Sequence, residues 1–284
     1  MKLHIVPART GLAWVKGGIF VFRRQPLAMA ALFFMTMAAM SLASVVPLVG
    51  PAIALTLLPS ATLAMMVASA EALQGRFPTP AVLLVAFRTG RDRLHHMMQL
   101  GALYAAGFLG IIAISSLVDG GQFAQVYLGG APLTQETAEN PDFQAAMWVA
   151  MALYLPLSLL FWHAPGLVHW HGVPPVKSLF FSIVACVRNI GAFTVYGLGW
   201  MAVFAIGGVL VSLLSGLLAV VGILPPGNVP GTMGSIMVGL AMMMATMFFS
   251  SIVFTFRDCF DPPEQPDAPP ADDALPPPTE PGAD

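Results

Sequence analysis

The apolar positions of this chain come in long unbroken runs, not in the alternation of a strand or the single stripe of a soluble helix. Crossing about 30 Å of hydrocarbon at about 1.5 Å per residue takes about 20 apolar residues in a helix. Six runs qualify, from Pro26 to Val46, Ile53 to Ala70, Leu94 to Val118, Phe143 to Trp162, Ile190 to Leu214 and Met233 to Phe254. Turn formers separate them. Pro47-Leu48-Val49-Gly50-Pro51 allows only a tight hairpin, and Gly222 to Gly231 holds three prolines and three glycines. The fifth run continues to Leu224, longer than one span needs, and predicts a bend or a tilt there.

Composition agrees. With 57% apolar and only 9% charged side chains, against about a quarter charged in soluble domains, the chain needs lipid around it. The basic residues then set an orientation, because Lys and Arg in short loops resist translocation. Lys2, Arg9, Lys16, Arg23 and Arg24 precede the first span; Arg76, Arg88, Arg91 and Arg93 lie between the second and third; Lys177 and Arg188 between the fourth and fifth; and Arg257 follows the sixth. All twelve fall on one side of a six-span topology. The expected protein is therefore an all-α polytopic transmembrane bundle of six spans, with both termini cytoplasmic. Residues 1–260 form the membrane domain, and the acidic, Pro-rich segment from Asp261 to Asp284 is expected to be a disordered tail.

The three basic segments align without gaps. Thr10 to Arg23, Pro80 to Arg93 and Pro175 to Arg188 each run from a helix start to an arginine thirteen positions on, and Thr79-Pro80 reads as an N-cap followed by a first-turn proline. Lys177 and Arg188, like Lys16 and Arg23, fall within about 20° of each other on a helical wheel. Trp14, Val15, Val21 and Phe22 oppose the second pair. Such helices are expected to lie in the headgroup layer, apolar face down, with each cation gaining about 1 kcal/mol from anionic lipid. Interfacial helix plus hairpin thus repeats three times, over about 10–74, 79–171 and 175–260, and predicts a pseudo-threefold bundle. The expected lipid contacts are Lys16, Arg23, Arg24, Arg88, Arg91, Arg93, Lys177 and Arg188.

Candidate chemistry is sparse. No ionisable residue falls at mid-membrane depth, which disfavours a proton-coupled pump or a voltage sensor. No nucleophile elbow, phosphate loop or paired-Cys zinc pattern occurs, so enzyme chemistry and cofactors are not expected. The second expectation is a permease for a neutral or apolar solute, its cavity lined at two mid-span prolines by Pro59, Ser60, Thr62, Tyr154, Pro156 and Ser158. The third is metal or haem binding by His163, His169 and His171, although a spacing of two puts the last pair on one face only in extended chain. Cys186 and Cys259 read as small, reduced, apolar residues. Small residues at spacing four, Ala102-Ala106-Gly110 and Gly208-Ser212-Gly216, are expected to pack helix on helix within the bundle, with oligomerisation as the alternative.

Three stretches carry a resemblance: the N-terminal Met1-Lys-Leu-His-Ile-Val-Pro-Ala-Arg-Thr-Gly11, the lead-in Phe22-Arg-Arg-Gln-Pro-Leu27, and Ala164-Pro165 through Ser178-Leu-Phe-Phe-Ser-Ile-Val-Ala-Cys-Val-Arg-Asn189. Together they resemble a beta-proteobacterial family of six-helix integral membrane proteins, a domain of unknown function. That resemblance implies an inner-membrane location and brings no catalytic residues. A looser likeness in layout links it to membrane domains attached to glycerophosphodiesterases, without any phosphodiesterase motif here. The leading expectation is a non-enzymatic scaffold or envelope-associated factor that engages anionic lipid.

Overall fold

Pro26 divides the first helical stretch in two, because the residue before a proline is driven out of the helical region. Gln25 takes φ −143° and ψ 64°, ending α1 (Thr10–Arg24) and starting α2 (Pro26–Ser44). The computed structural model describes residues 2–88, 90–222 and 229–262; the expected acidic tail, apart from its first two residues, lies outside them. Leu48, at φ 68°, makes the turn into α3 (Gly50–Leu73). A 3-10 turn (Pro80–Leu84) and the single-turn α4 (Val85–Arg88) precede α5 (Arg91–Asp119). The short α6 (Gln122–Tyr127) and α7 (Gln135–Glu139) lead to α8 (Pro141–Phe161), and α9 (Ala164–His171) continues it after a break at Trp162 and His163. The chain closes with α10 (Pro175–Arg188), α11 (Ile190–Val220) and α12 (Val229–Cys259).

Six of these helices are long and apolar enough to cross a membrane, at the six predicted places. α11 runs unbroken to Val220, its last two turns without a proline, and the end of the fifth apolar run at 223–224 lies outside the described residues. α3 and α8 likewise continue through Pro59 and Pro156. The α5–α6 corner is held by Asp119, whose carboxylate accepts from the Gly121 and Phe123 backbone N–H groups at 2.8 and 2.6 Å.

The second basic segment departs from the expected helix. Pro80 opens a 3-10 turn, the Thr79 hydroxyl makes no cap hydrogen bond, and Gly90 at φ 101° breaks the helix after Arg88. Glycine alone takes that conformation without strain. Arg91 and Arg93 consequently belong to the first turn of α5.

Helix contacts follow a cyclic order. Besides its own partner in the hairpin, the second span of each pair carries the basic segment of the next unit: α3 carries the 3-10 turn and α4, α8 carries α10, and α12 carries α1. The N-terminal helix therefore closes the bundle on the last span. Contacts between hairpins are less regular, since α3 packs closely on both α5 and α12.

α1 seats through glycine. A Cβ at Gly11 would stand 2.1 Å from the Ala192 carbonyl oxygen of α11, and one at Gly18 would stand 2.5 Å from the Met247 carbonyl oxygen of α12. Gly101 likewise lets α5 meet the backbone of α3 at Thr56. The small-residue stripes singled out by spacing are elsewhere: Ala102, Ala106, Ser212 and Gly216 are exposed, and a Cβ added to Gly110 or Gly216 meets open space. Among the described residues the closest approaches lie beside these stripes, at Gly101 and Gly107 on α5 and Gly207 on α11, although a Cβ at Gly208 would touch Met237 of α12 at 3.8 Å.

Candidate functional site

The end of the bundle where residues 2–4 meet residues 259–261 gathers polar groups of the described residues at two depths. At the surface are the cations. Lys16, Arg23 and Arg24 are exposed on α1, Arg88, Arg91 and Arg93 around the Gly90 break, and Lys177 and Arg188 on α10. None of these eight cations has a carboxylate within salt-bridge distance among the described residues, where the one such contact joins His4 and Asp261.

The apolar sides of the basic helices differ from expectation. Trp14, Val15, Val21 and Phe22 do not face lipid; all four are buried, because α1 packs on α11 and α12 and that protein surface takes up its apolar face. Leu12 and Phe20 remain exposed. α10 buries a face of small residues instead, Ser178, Ser182, Ala185 and Cys186, and leaves Val176, Phe180 and Val187 outside beside Lys177 and Arg188. Of the three segments it fits the interfacial pattern best.

Along α1 a groove of about 600 Å³ is lined by Lys16, Ile19, Phe20, Arg23 and Arg24. The spacing of 16, 19 and 20, and 23 and 24 puts these on one stripe of the helix. Arg24 lies over the Phe20 ring at 5.3 Å and donates one N–H to the Leu73 carbonyl at 3.1 Å, a cation on the last turn of α3 where the helix dipole favours it.

Beneath the surface lies a polar nest. His163, fully buried at the α8–α9 break, donates its backbone N–H to the Ser182 hydroxyl at 2.9 Å, and its Nε2 meets the Thr255 hydroxyl at 3.2 Å. Its Nδ1 is 3.8 Å from the Cys186 sulfur. Burial raises the Cys186 thiol above its ordinary pKa, keeping it protonated and slow toward alkylating reagents. Asn189, only 2% exposed, accepts from the Val6 N–H at 2.8 Å and donates to the His4 and Ala185 carbonyls, both at 3.0 Å. One side chain thus joins the N-terminal strap, α10 and, through a 3.5 Å contact to Cys259, the end of α12. Trp14 donates to Asp258 at 2.7 Å, and Tyr196 pairs with Ser251 at 2.6 Å. Nothing in the one-dimensional pattern marks Asn189 or Thr255, since both are single polar residues at helix ends.

His169 and His171 stand apart from this nest on α9, where two positions along a helix is a turn of about 200°. Among the described residues no three His, Cys, Asp or Glu side chains converge as metal ligands. The residues of the expected solute cavity are dispersed too. Pro59 and Ser60 are buried, whereas Tyr154 and Pro156 are exposed on α8. The Thr62 and Ser158 hydroxyls donate to Leu58 and Leu155 in their own helices.

Asp261, the first residue of the expected tail, is held in place. Its carboxylate meets His4 Nε2 at 2.5 Å and the Lys2 backbone N–H at 2.9 Å. The His4 bond, and then the Lys2 bond, hold its carboxyl below the usual range. A carboxylate lowered by folding contributes above its unfolded pKa of about 4 and loses that contribution as pH falls through the folded value. Asp261→Asn is therefore expected to speed amide exchange at Leu3 to Val6 at pH 7. The wild-type strap is expected to loosen only below about pH 4, with rates normalised to the intrinsic rate at each pH.

Six helices long and apolar enough to cross a membrane define the class: a polytopic α-helical integral membrane protein. The chain belongs to the family of a probable inner membrane protein of Burkholderia thailandensis, to which it is 38% identical over 268 residues, 92% of this chain and 94% of that protein. No protein-family model matches the sequence, and no solved structure matches it.

Proposed function

We propose that this protein is a non-enzymatic scaffold or envelope-associated factor of the bacterial inner membrane, with both termini in the cytoplasm and its basic segments holding anionic lipid. The observation that carries the reading is the set of eight exposed cations at the terminus-bearing end with no acidic partner among the described residues. In a soluble protein such a rim would be solvated. Beside Leu84, Phe87, Phe180 and Val187, all exposed apolar residues, it matches a headgroup layer in which each cation near an anionic surface gains about 1 kcal/mol.

Three further points support it. The family relative is named a probable inner membrane protein. The basic residues segregate to one side, as the positive-inside rule demands of cytoplasmic loops. The cyclic seating of each basic segment on the preceding unit favours three repeats around a membrane normal, a broad rim in place of a single pore.

The test is lipid composition around the extracted protein. In polymer-bounded discs cut from mixed membranes, phosphatidylglycerol should be enriched at least about twofold over bulk. A gain of about 1 kcal/mol at each site corresponds to a factor of about five. Neutralising all eight cations to glutamine should abolish the enrichment, and discs with bulk composition around the wild-type protein would refute the proposal.

A further inference from the structure

The groove on α1 is more specific than a charged rim. Lys16, Arg23 and Arg24 line it together with Ile19 and Phe20, and no acid pairs with any of the three among the described residues. Like charges along one helical stripe repel and destabilise the helix that carries them, so this face is unfavourable until an anion sits among them. Arg24 is already oriented, its guanidinium fixed between the Phe20 ring and the Leu73 carbonyl; one N–H is committed there and four remain. Lys16 and Arg23 make no hydrogen bond within the described protein, and their long side chains flank the groove from either end. The floor is apolar. It is made by Ile19 and by Phe20, which is 54% exposed.

We propose that this groove binds a single anionic diacyl phospholipid, its phosphodiester held by Lys16, Arg23 and Arg24 and its glycerol and upper acyl carbons laid on Ile19 and Phe20. This rests on the lipid reading above and narrows it to one site. A phosphodiester accepts charge-assisted hydrogen bonds from several donors at once, and arginine presents a planar fork to it. A free phosphate would satisfy the cations but leave the apolar floor in water. A lipid covers both, and α1 leads directly into the span along which its chains would run.

The experiment is native mass spectrometry of the full chain with added phosphatidylglycerol or phosphatidylethanolamine. Wild-type protein should retain one phosphatidylglycerol at activation energies that strip the others, and bind it at least about tenfold more tightly than phosphatidylethanolamine. The double change Lys16→Gln with Arg23→Gln should lose that retained lipid. It leaves Arg24 and its bond to Leu73 in place, and an unaltered thermal unfolding transition would show that α1 stays seated. Phe20→Ser should weaken retention by a smaller factor, and Arg9→Gln with Arg257→Gln, exposed cations outside the eight of the rim, should leave it unchanged. Equal retention in the double variant would overturn the site, as would displacement of the retained lipid by an equimolar amount of soluble glycerophosphoglycerol, which has the phosphodiester and no acyl chains. Enriched surrounding lipid without a retained molecule would refute this site alone. An unselective surround would refute the broader function.

Discussion

Gly11→Ala is expected to unseat the N-terminal helix and cost about 3 kcal/mol of stability, near the upper end of what over-packing a tight contact costs. The added Cβ would stand 2.1 Å from the Ala192 carbonyl oxygen and 2.7 Å from the Tyr196 nitrogen. Both are backbone atoms of α11, so no side-chain rotation relieves the clash. α1 must lift, and with it the bond from the Trp14 indole to Asp258 and the burial of Trp14 against Phe193 and Tyr196. Gly18→Ala should act similarly against Met247 and Ser251. The controls are Gly110→Ala and Gly216→Ala, where an added methyl meets open space and the change should stay within about 0.5 kcal/mol. Reversible unfolding in mixed detergent, followed by tryptophan fluorescence, separates the two classes. Equal losses at all four positions would contradict the proposed seating of α1.

Asn189→Leu is the second large effect, expected at about 3 kcal/mol. The leucine is close in size but leaves the Val6 N–H and the His4 carbonyl without the partner they have in the folded strap. Each buried polar group so orphaned costs about 1–3 kcal/mol. The strap should detach instead of the bundle unfolding, since α10, α11 and α12 keep their apolar contacts. Cys259, fully buried and covered by the His4 N–H bond to its carbonyl, should then become alkylable, while Cys186 stays protected. Simultaneous labelling of both cysteines would mean that the nest opens as one unit, and would contradict a separable strap. Asn189→Asp tests charge against shape: it keeps an acceptor for Val6, removes the donors, and should be intermediate.

Much of the architecture was legible because it depends on properties summed over many residues. Six apolar runs of bilayer length place six helices to within a few residues at most ends, and prolines and glycines mark where they stop. The largest differences in boundaries came where one backbone angle decided, at Gly90, and where a helix was free to continue, as α11 does to Val220. The candidate site was half legible. Lys16, Arg23 and Arg24 were singled out by charge and spacing, and the structure places them on one groove. The same helical moment was ambiguous about what its apolar face meets. Lipid and a neighbouring helix are equally apolar, so periodicity cannot tell Trp14 buried in protein from Phe20 left outside.

The glycines divide in the same way. Gly110 and Gly216 belong to regular small-residue stripes and touch nothing, whereas Gly11 and Gly18 belong to none and admit two neighbouring backbones. Spacing on one helix says which residues share a face; only the partner's position says whether that face is occupied. His163 shows this for polar groups. Its sequence neighbourhood resembled a ligand cluster with His169 and His171, yet its partners are Ser182, Thr255 and Cys186, drawn from two other helices.

By itself, then, the sequence determined the six apolar helices, the clustering of the cations between them and the positions of most breaks. These follow from transfer free energies and steric limits that act locally and add along the chain. The closing of α1 on α12 and the strap pinned through Asn189 and Asp261 were decided only in three dimensions. Each depends on which surfaces meet across more than a hundred residues, and single contacts of that kind leave no periodic trace in the chain.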